Sequence, residues 1–146
     1  VSVPMQILHA GFKVVFRDEE WSGRYQLRPL SIWDSARRFT SGMYEERDGM
    51  VCTSHHWSKT LGIQQGGVIL HSDANADDWF RRARFDGRRE GVPPADDTFD
   101  MLGWHMYMSP EIAAEGLVRL SHLPKHNPDL EWDDYPDLST APVFRT

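Results

Sequence analysis

Ser54, His55, His56 and Lys59 fall within one short polar segment between two apolar runs, Met50–Cys52 and Gly67–Leu70. Short β-branched runs bounded by glycine and polar residues read as buried strands, which puts the polar segment at their mouth. A lysine held there, short of water, has a lowered pKa and a usable amine that can condense with a carbonyl. The same spacing also accommodates a solvated loop lysine, the usual fate of this side chain. His55 and His56 suggest a metal. Adjacent side chains in an extended segment diverge, however, and no cysteine or carboxylate recurs at ligand spacing, so no metal is expected. His55 reads instead as a polar neighbour of the lysine.

A second chemical group stands upstream. Leu30–Trp33 reads as a strand with Asp34 at its carboxyl end, where ligands gather in open α/β sheets. Asp34 could equally cap a helix beginning Ser35-Ala36-Arg37-Arg38-Phe39. The elements that must position these groups follow from pattern. Val3–Gly11 has apolar residues at helical spacing and ends on glycine, and Phe12–Phe16 reads as a strand; helix, glycine, strand is an α/β rhythm. Trp21–Pro29 and Thr40–Gly49 read as loops. Asp73 caps a helix through about Phe85, with Ala76, Trp79, Phe80 and Ala83 on one face. Arg88–Met101 is a long loop containing Pro93-Pro94. Ser109-Pro110-Glu111 then opens a helix striped by Ile112, Ala113, Gly116, Leu117 and Leu120.

The chain has 146 residues, 40% of them hydrophobic, which suits one domain with a core. Its net charge of -6, with signs interspersed, argues against a nucleic-acid surface or a polybasic membrane anchor. The lone Cys52 excludes an internal disulfide and reads as a core residue, which fits a reducing, cytoplasmic setting. Val1–Gly11 lacks the charge and apolar length of a secretory signal, and no segment approaches eighteen consecutive apolar residues.

Ser54-His55-His56-Trp57-Ser58-Lys59, followed by Leu61-Gly62 and Gly66-Gly67-Val68-Ile69-Leu70, resembles the lysine segment of the DegT/DnrJ/EryC1/StrS sugar aminotransferases. Those are fold-type I enzymes that use pyridoxal 5'-phosphate. Asp34-Ser35-Ala36-Arg37 resembles the family's segment whose aspartate pairs with the pyridine nitrogen. Gly103-Trp104 and Met108 resemble its run before a helix of small residues, although His105 and Tyr107 replace an asparagine and an arginine.

The resemblance implies an α/β fold: a three-layer sandwich with a mostly parallel sheet, part of the aspartate aminotransferase-like large domain. Residues 1–123 would form a partial cofactor-binding large domain and residues 124–146 an extended arm. It implies that Lys59 carries pyridoxal phosphate as an internal aldimine, that Asp34 holds the ring nitrogen and that Ser54 bonds the phosphate. Arg37 replaces a polar residue that lies against the ring; it would stack or reach a phosphate, or else stand as an exposed helix arginine. His105 would donate to the phosphate of a partner subunit in a homodimer, or simply pack at an interface. The implied reaction is transamination of a nucleotide-linked keto sugar with glutamate as donor, and Lys59 speaks against the branch that has histidine there. The family's phosphate loop, stacking aromatic and C-terminal small domain have no counterparts in the sequence, so the chain reads as a truncated or reduced member. The alternative is a non-catalytic fold remnant that dimerises or binds a partner.

Overall fold

The computed structural model describes residues 1–131 and 135–145. Helix α1 spans Ser2–His9 and buries none of its residues. Gly11, at φ +79, closes it by donating its N–H to the Leu8 carbonyl at 2.9 Å, a backbone shape that favours glycine. Phe12–Phe16, expected as a strand, joins no sheet, and Phe12 and Val15 stay exposed. Its β-branched residues alone are not enough, because a strand needs a neighbour to take its backbone groups.

Four short strands make one sheet in the order β1 (Tyr25–Gln26), β2 (Ile32–Asp34), β3 (Met50–Cys52), β4 (Ile69–Leu70). Strands β2 and β3 are parallel, with Asp34 opposite Cys52. Both outer pairings are antiparallel, Tyr25 opposite Asp34 and Cys52 opposite Ile69. Parallel pairing is thus confined to the centre of a small mixed sheet, where the sequence led us to expect a mostly parallel one. The glycine-rich approach to β4 lets that strand fold straight back on β3. A Cβ on Gly67 would collide with the Thr53 carbonyl oxygen, so the two backbones meet there as only glycine allows.

The helix expected from Ser35 is a tight turn. Asp34 Oδ1 accepts the Ala36 N–H at 2.8 Å and the Ser35 carbonyl accepts the Arg38 N–H at 3.1 Å. A carboxylate that bonds its own downstream backbone competes with helical bonding. The crossover from β2 to β3 therefore holds only a 3-10 turn at Glu46–Asp48, whose buried Asp48 accepts from Arg24 at 2.7 Å.

Helix α2 (Ala74–Ala83) starts where Asp73 Oδ1 accepts the N–H groups of Asn75 and Ala76. At its other end the Ala83 and Arg84 carbonyls accept from Trp104 and Met106. Helix α3 (Pro110–His122) is capped by Ser109 and carries proline in its first turn. It meets the loop after Lys59, with Gly116 against Ile63 Cδ1 and Arg119 donating to the Gly62 carbonyl at 2.6 Å. Val51, Leu61, Ile63 and Ala83 are the buried apolar residues among those described. Beyond α3 the chain crosses back to the β2–β3 turn. Lys125 accepts the Ser41 N–H at 2.7 Å, Asn127 donates to the Phe39 carbonyl at 3.0 Å, and Leu130 donates to the Arg37 carbonyl at 2.9 Å.

Candidate functional site

The parallel pairing of β2 and β3 sets their carboxyl ends side by side, at Asp34 and Cys52. The ladder continues past β3, since Thr53 donates to the Val68 carbonyl and His55 to that of Gly66. Side chains alternate along such a segment. Asp34, Cys52 and Ser54 therefore share one face, and Val51 and His55 share the other. Burial agrees, because Val51 and His55 are 0% and 5% exposed. Burial first, and then the Asp34 charge, pushes the Cys52 thiol up; the carboxylate thus acts directly on its cross-strand neighbour.

Asp34 is held at both oxygens. Oδ1 takes the Ala36 N–H, and Oδ2 takes the Tyr25 hydroxyl at 2.9 Å. Burial, and after it Asp34, raises the Tyr25 hydroxyl above its ordinary range, with a smaller contribution from Tyr135. Tyr25 therefore remains a neutral donor at physiological pH. Each carboxylate oxygen retains a second lone pair for a ligand.

Ser54 and Lys59 belong to one turn. Ser54 Oγ accepts the His56 N–H at 3.3 Å, His56 Nδ1 lies 2.9 Å from Ser58 Oγ, and the His56 carbonyl accepts the Lys59 N–H at 2.8 Å. The Ser54 hydroxyl keeps its hydrogen to donate. Lys59 is half-buried, and among the described residues its ammonium has no hydrogen-bond or ion-pair partner.

Arg37 is not an exposed helix arginine, because it lies in the turn after β2 and is 7% exposed. Its guanidinium donates to the Tyr135 hydroxyl at 2.8 Å and lies 5.6 Å from that ring's centre. His105 lies apart from this face, at the carboxyl end of α2, where it contacts Asp86 at 3.0 Å and packs on Tyr107. His55, expected beside the lysine, instead turns its ring edge-on to Phe39 at 5.7 Å. Neither of its nitrogens has a partner among the described residues, and the same holds for Ser35 Oγ. Tyr25, Tyr135 and Asp129 were not legible as site residues: each sits in a stretch without periodicity, Tyr135 and Asp129 have distant partners, and Tyr25 itself lies on a two-residue strand.

Two open hollows, of about 510 and 330 Å³, lie around His71, Ser72 and Asp73. Ser31, Gly49 and Met50 line the smaller one, which places it at the amino ends of β2 and β3. Neither is lined by Asp34, Ser54 or Lys59. Ligands of open α/β sheets favour the carboxyl ends, so the Asp34–Ser54 face is the stronger candidate.

No family model matches the chain, and no curated protein or solved structure matches it.

Proposed function

We propose that the chain is a pyridoxal phosphate-dependent aminotransferase-like protein acting on a nucleotide-linked keto sugar, with glutamate as amino donor. The observation that carries the reading is the placement of Asp34 and Ser54 on one face at the carboxyl ends of parallel strands, with the half-buried Lys59 in the turn that begins at Ser54. A carboxylate, a hydroxyl and an uncommitted amine are the donor set this cofactor needs. Bound there, pyridoxal phosphate would supply an electron sink.

In this reading Asp34 keeps a proton on the ring nitrogen, and Tyr25 and the Ala36 N–H fix the carboxylate's orientation. Ser54 donates its hydroxyl hydrogen to a phosphate oxygen, as a small donor at a strand end can. Lys59 would hold the cofactor's carbonyl through its amine and, once released from it, would hold and move a proton at Nζ. Arg37 lies in the turn that follows Asp34 and is bonded to the Tyr135 hydroxyl. A three-layer sandwich built around the mixed sheet, and a cytoplasmic homodimer with His105 at the subunit boundary, belong to the same proposal. No described helix is long and apolar enough to cross a membrane.

Titrating the protein with pyridoxal phosphate tests this reading. An absorption band that appears in the wild type and is lost in Lys59→Ala is the expected result. Asp34→Ala should weaken the band at least about tenfold, the factor that about 1.4 kcal/mol represents. A band that survives Lys59→Ala would overturn the proposal in favour of a non-catalytic binding module.

A further inference from the structure

The amino ends of β2 and β3, away from Asp34, hold a surface that the cofactor reading does not use. The two hollows there, of about 510 and 330 Å³, share His71, Ser72 and Asp73, so they are two lobes of one groove. Each lobe is of the size that small-molecule sites have. The lobes differ in chemistry. Leu30, Ile32 and Met50 give the smaller one an apolar wall, whereas Tyr44 and Asp77 belong to the larger one. The Tyr44 hydroxyl donates to Ser72 Oγ at 3.2 Å. Asp73 spends Oδ1 on capping α2, and Asp77 spends Oδ2 on Arg81 Nε at 2.7 Å. The other oxygen of each carboxylate has no partner among the described residues. His71, at the junction, lies against Phe80 with 5.6 Å between ring centres, and its Nδ1 is shut from solvent with no partner among the described residues. No lysine or arginine is among the residues that line either lobe. Two carboxylates outweigh the positive half-charge at the amino end of α2, so the larger lobe is negative.

We propose that this groove binds a small organic cation, with its ammonium group between Asp73 and Asp77 and its apolar body along Leu30, Ile32 and Met50. An anion would meet two like charges there, and a neutral ligand would leave both free carboxylate oxygens unanswered. The ammonium N–H groups donate to those oxygens as charge-assisted hydrogen bonds, and the body removes the apolar lobe from water. The site is independent of the cofactor reading: it lies at the other ends of the strands and uses none of Asp34, Ser54 or Lys59.

The test is titration of the full chain with phenethylamine, followed by backbone and histidine-ring chemical shifts, with phenylacetate as the probe of similar body and opposite charge. Saturable shifts centred on His71 and Ser72 are expected with the amine and not with the acid, and added salt should weaken them. Asp77→Asn should lower the affinity about two- to fivefold, as expected of an exposed charge pair. Leu30→Lys should lower it at least about tenfold by setting a like charge in the apolar lobe; Leu30 is 43% exposed, so the change leaves the core intact. Equal binding of amine and acid would overturn the proposal, as would amine affinity unchanged in both variants or no saturable shift in the wild type. If one variant fails to fold, the other and the comparison of the two probes decide. The Lys59-dependent band with pyridoxal phosphate is read separately, so either reading can fail while the other stands.

Discussion

His55 carries a pH dependence of its own. Its ring is buried against Phe39 and its nitrogens have no partner among the described residues, so burial lowers its pKa from the ordinary 6.5. The unfolded chain then binds the proton more readily than the native one. Stability from this residue is complete above about pH 6.5 and drains away as pH falls toward the lowered native value. Thermal melts between pH 7 and 5 should show a falling midpoint, and His55→Phe should flatten the slope; an unchanged slope would remove His55 as its source. Asp129 acts in a lower window. Its carboxylate is held below the ordinary range chiefly by the Arg38 bonds, so its contribution is present above about pH 4 and is lost only on further acidification. Asp34, Ser54 and Lys59 stood out in the sequence as candidates because their types and spacing carry chemistry. His55 was misjudged, because strand alternation assigns that ring to the buried face and a residue name does not.

The most legible elements were those whose ends are marked by side chains. Asp73 announces α2 and Ser109-Pro110 announces α3, and both caps are made in the structure. Asp73→Ala should cost about 1 kcal/mol of stability, readable as a shifted denaturation midpoint with an unchanged slope. Gly116 is the tighter constraint on α3: a side chain there meets Ile63 Cδ1 at 3.3 Å. Gly116→Val should therefore lower stability by about 1–3 kcal/mol through overpacking, whereas an equal loss at the exposed Leu117 would argue against that cause. Phe12–Phe16 and Ser35–Phe39 were misread for a common reason. Local propensity proposed a strand and a helix, but among the described residues no strand meets the first, and the Asp34 carboxylate takes the backbone bonding of the second.

At the scale of the molecule, the chain exposes 10589 Å². A folded monomer of its 16.9 kDa would expose about 7,700 Å². Trp104, Met106, Leu117 and Val118 are among the large apolar residues left on that surface. The surplus in one chain is at the upper limit of what each partner loses in a large obligate interface, which makes self-pairing worth testing. Sedimentation velocity should therefore give a mass that rises with concentration in the micromolar range, and a strictly monomeric profile would count against self-pairing. None of this was visible in composition, because an average apolar content does not say which residues find cover. The bonds from Arg38 to Asp129 also span 91 positions along the chain. Contacts that distant are slow to form, and synthesis proceeds from the amino end. On the ribosome, the strand pair and the lysine turn can emerge and fold while Asp129 and Tyr135 are still inside the exit tunnel. A newly made chain therefore passes through an interval in which the paired β2 and β3 and the turn after Asp34 are already available while the Arg38–Asp129 clamp has yet to close.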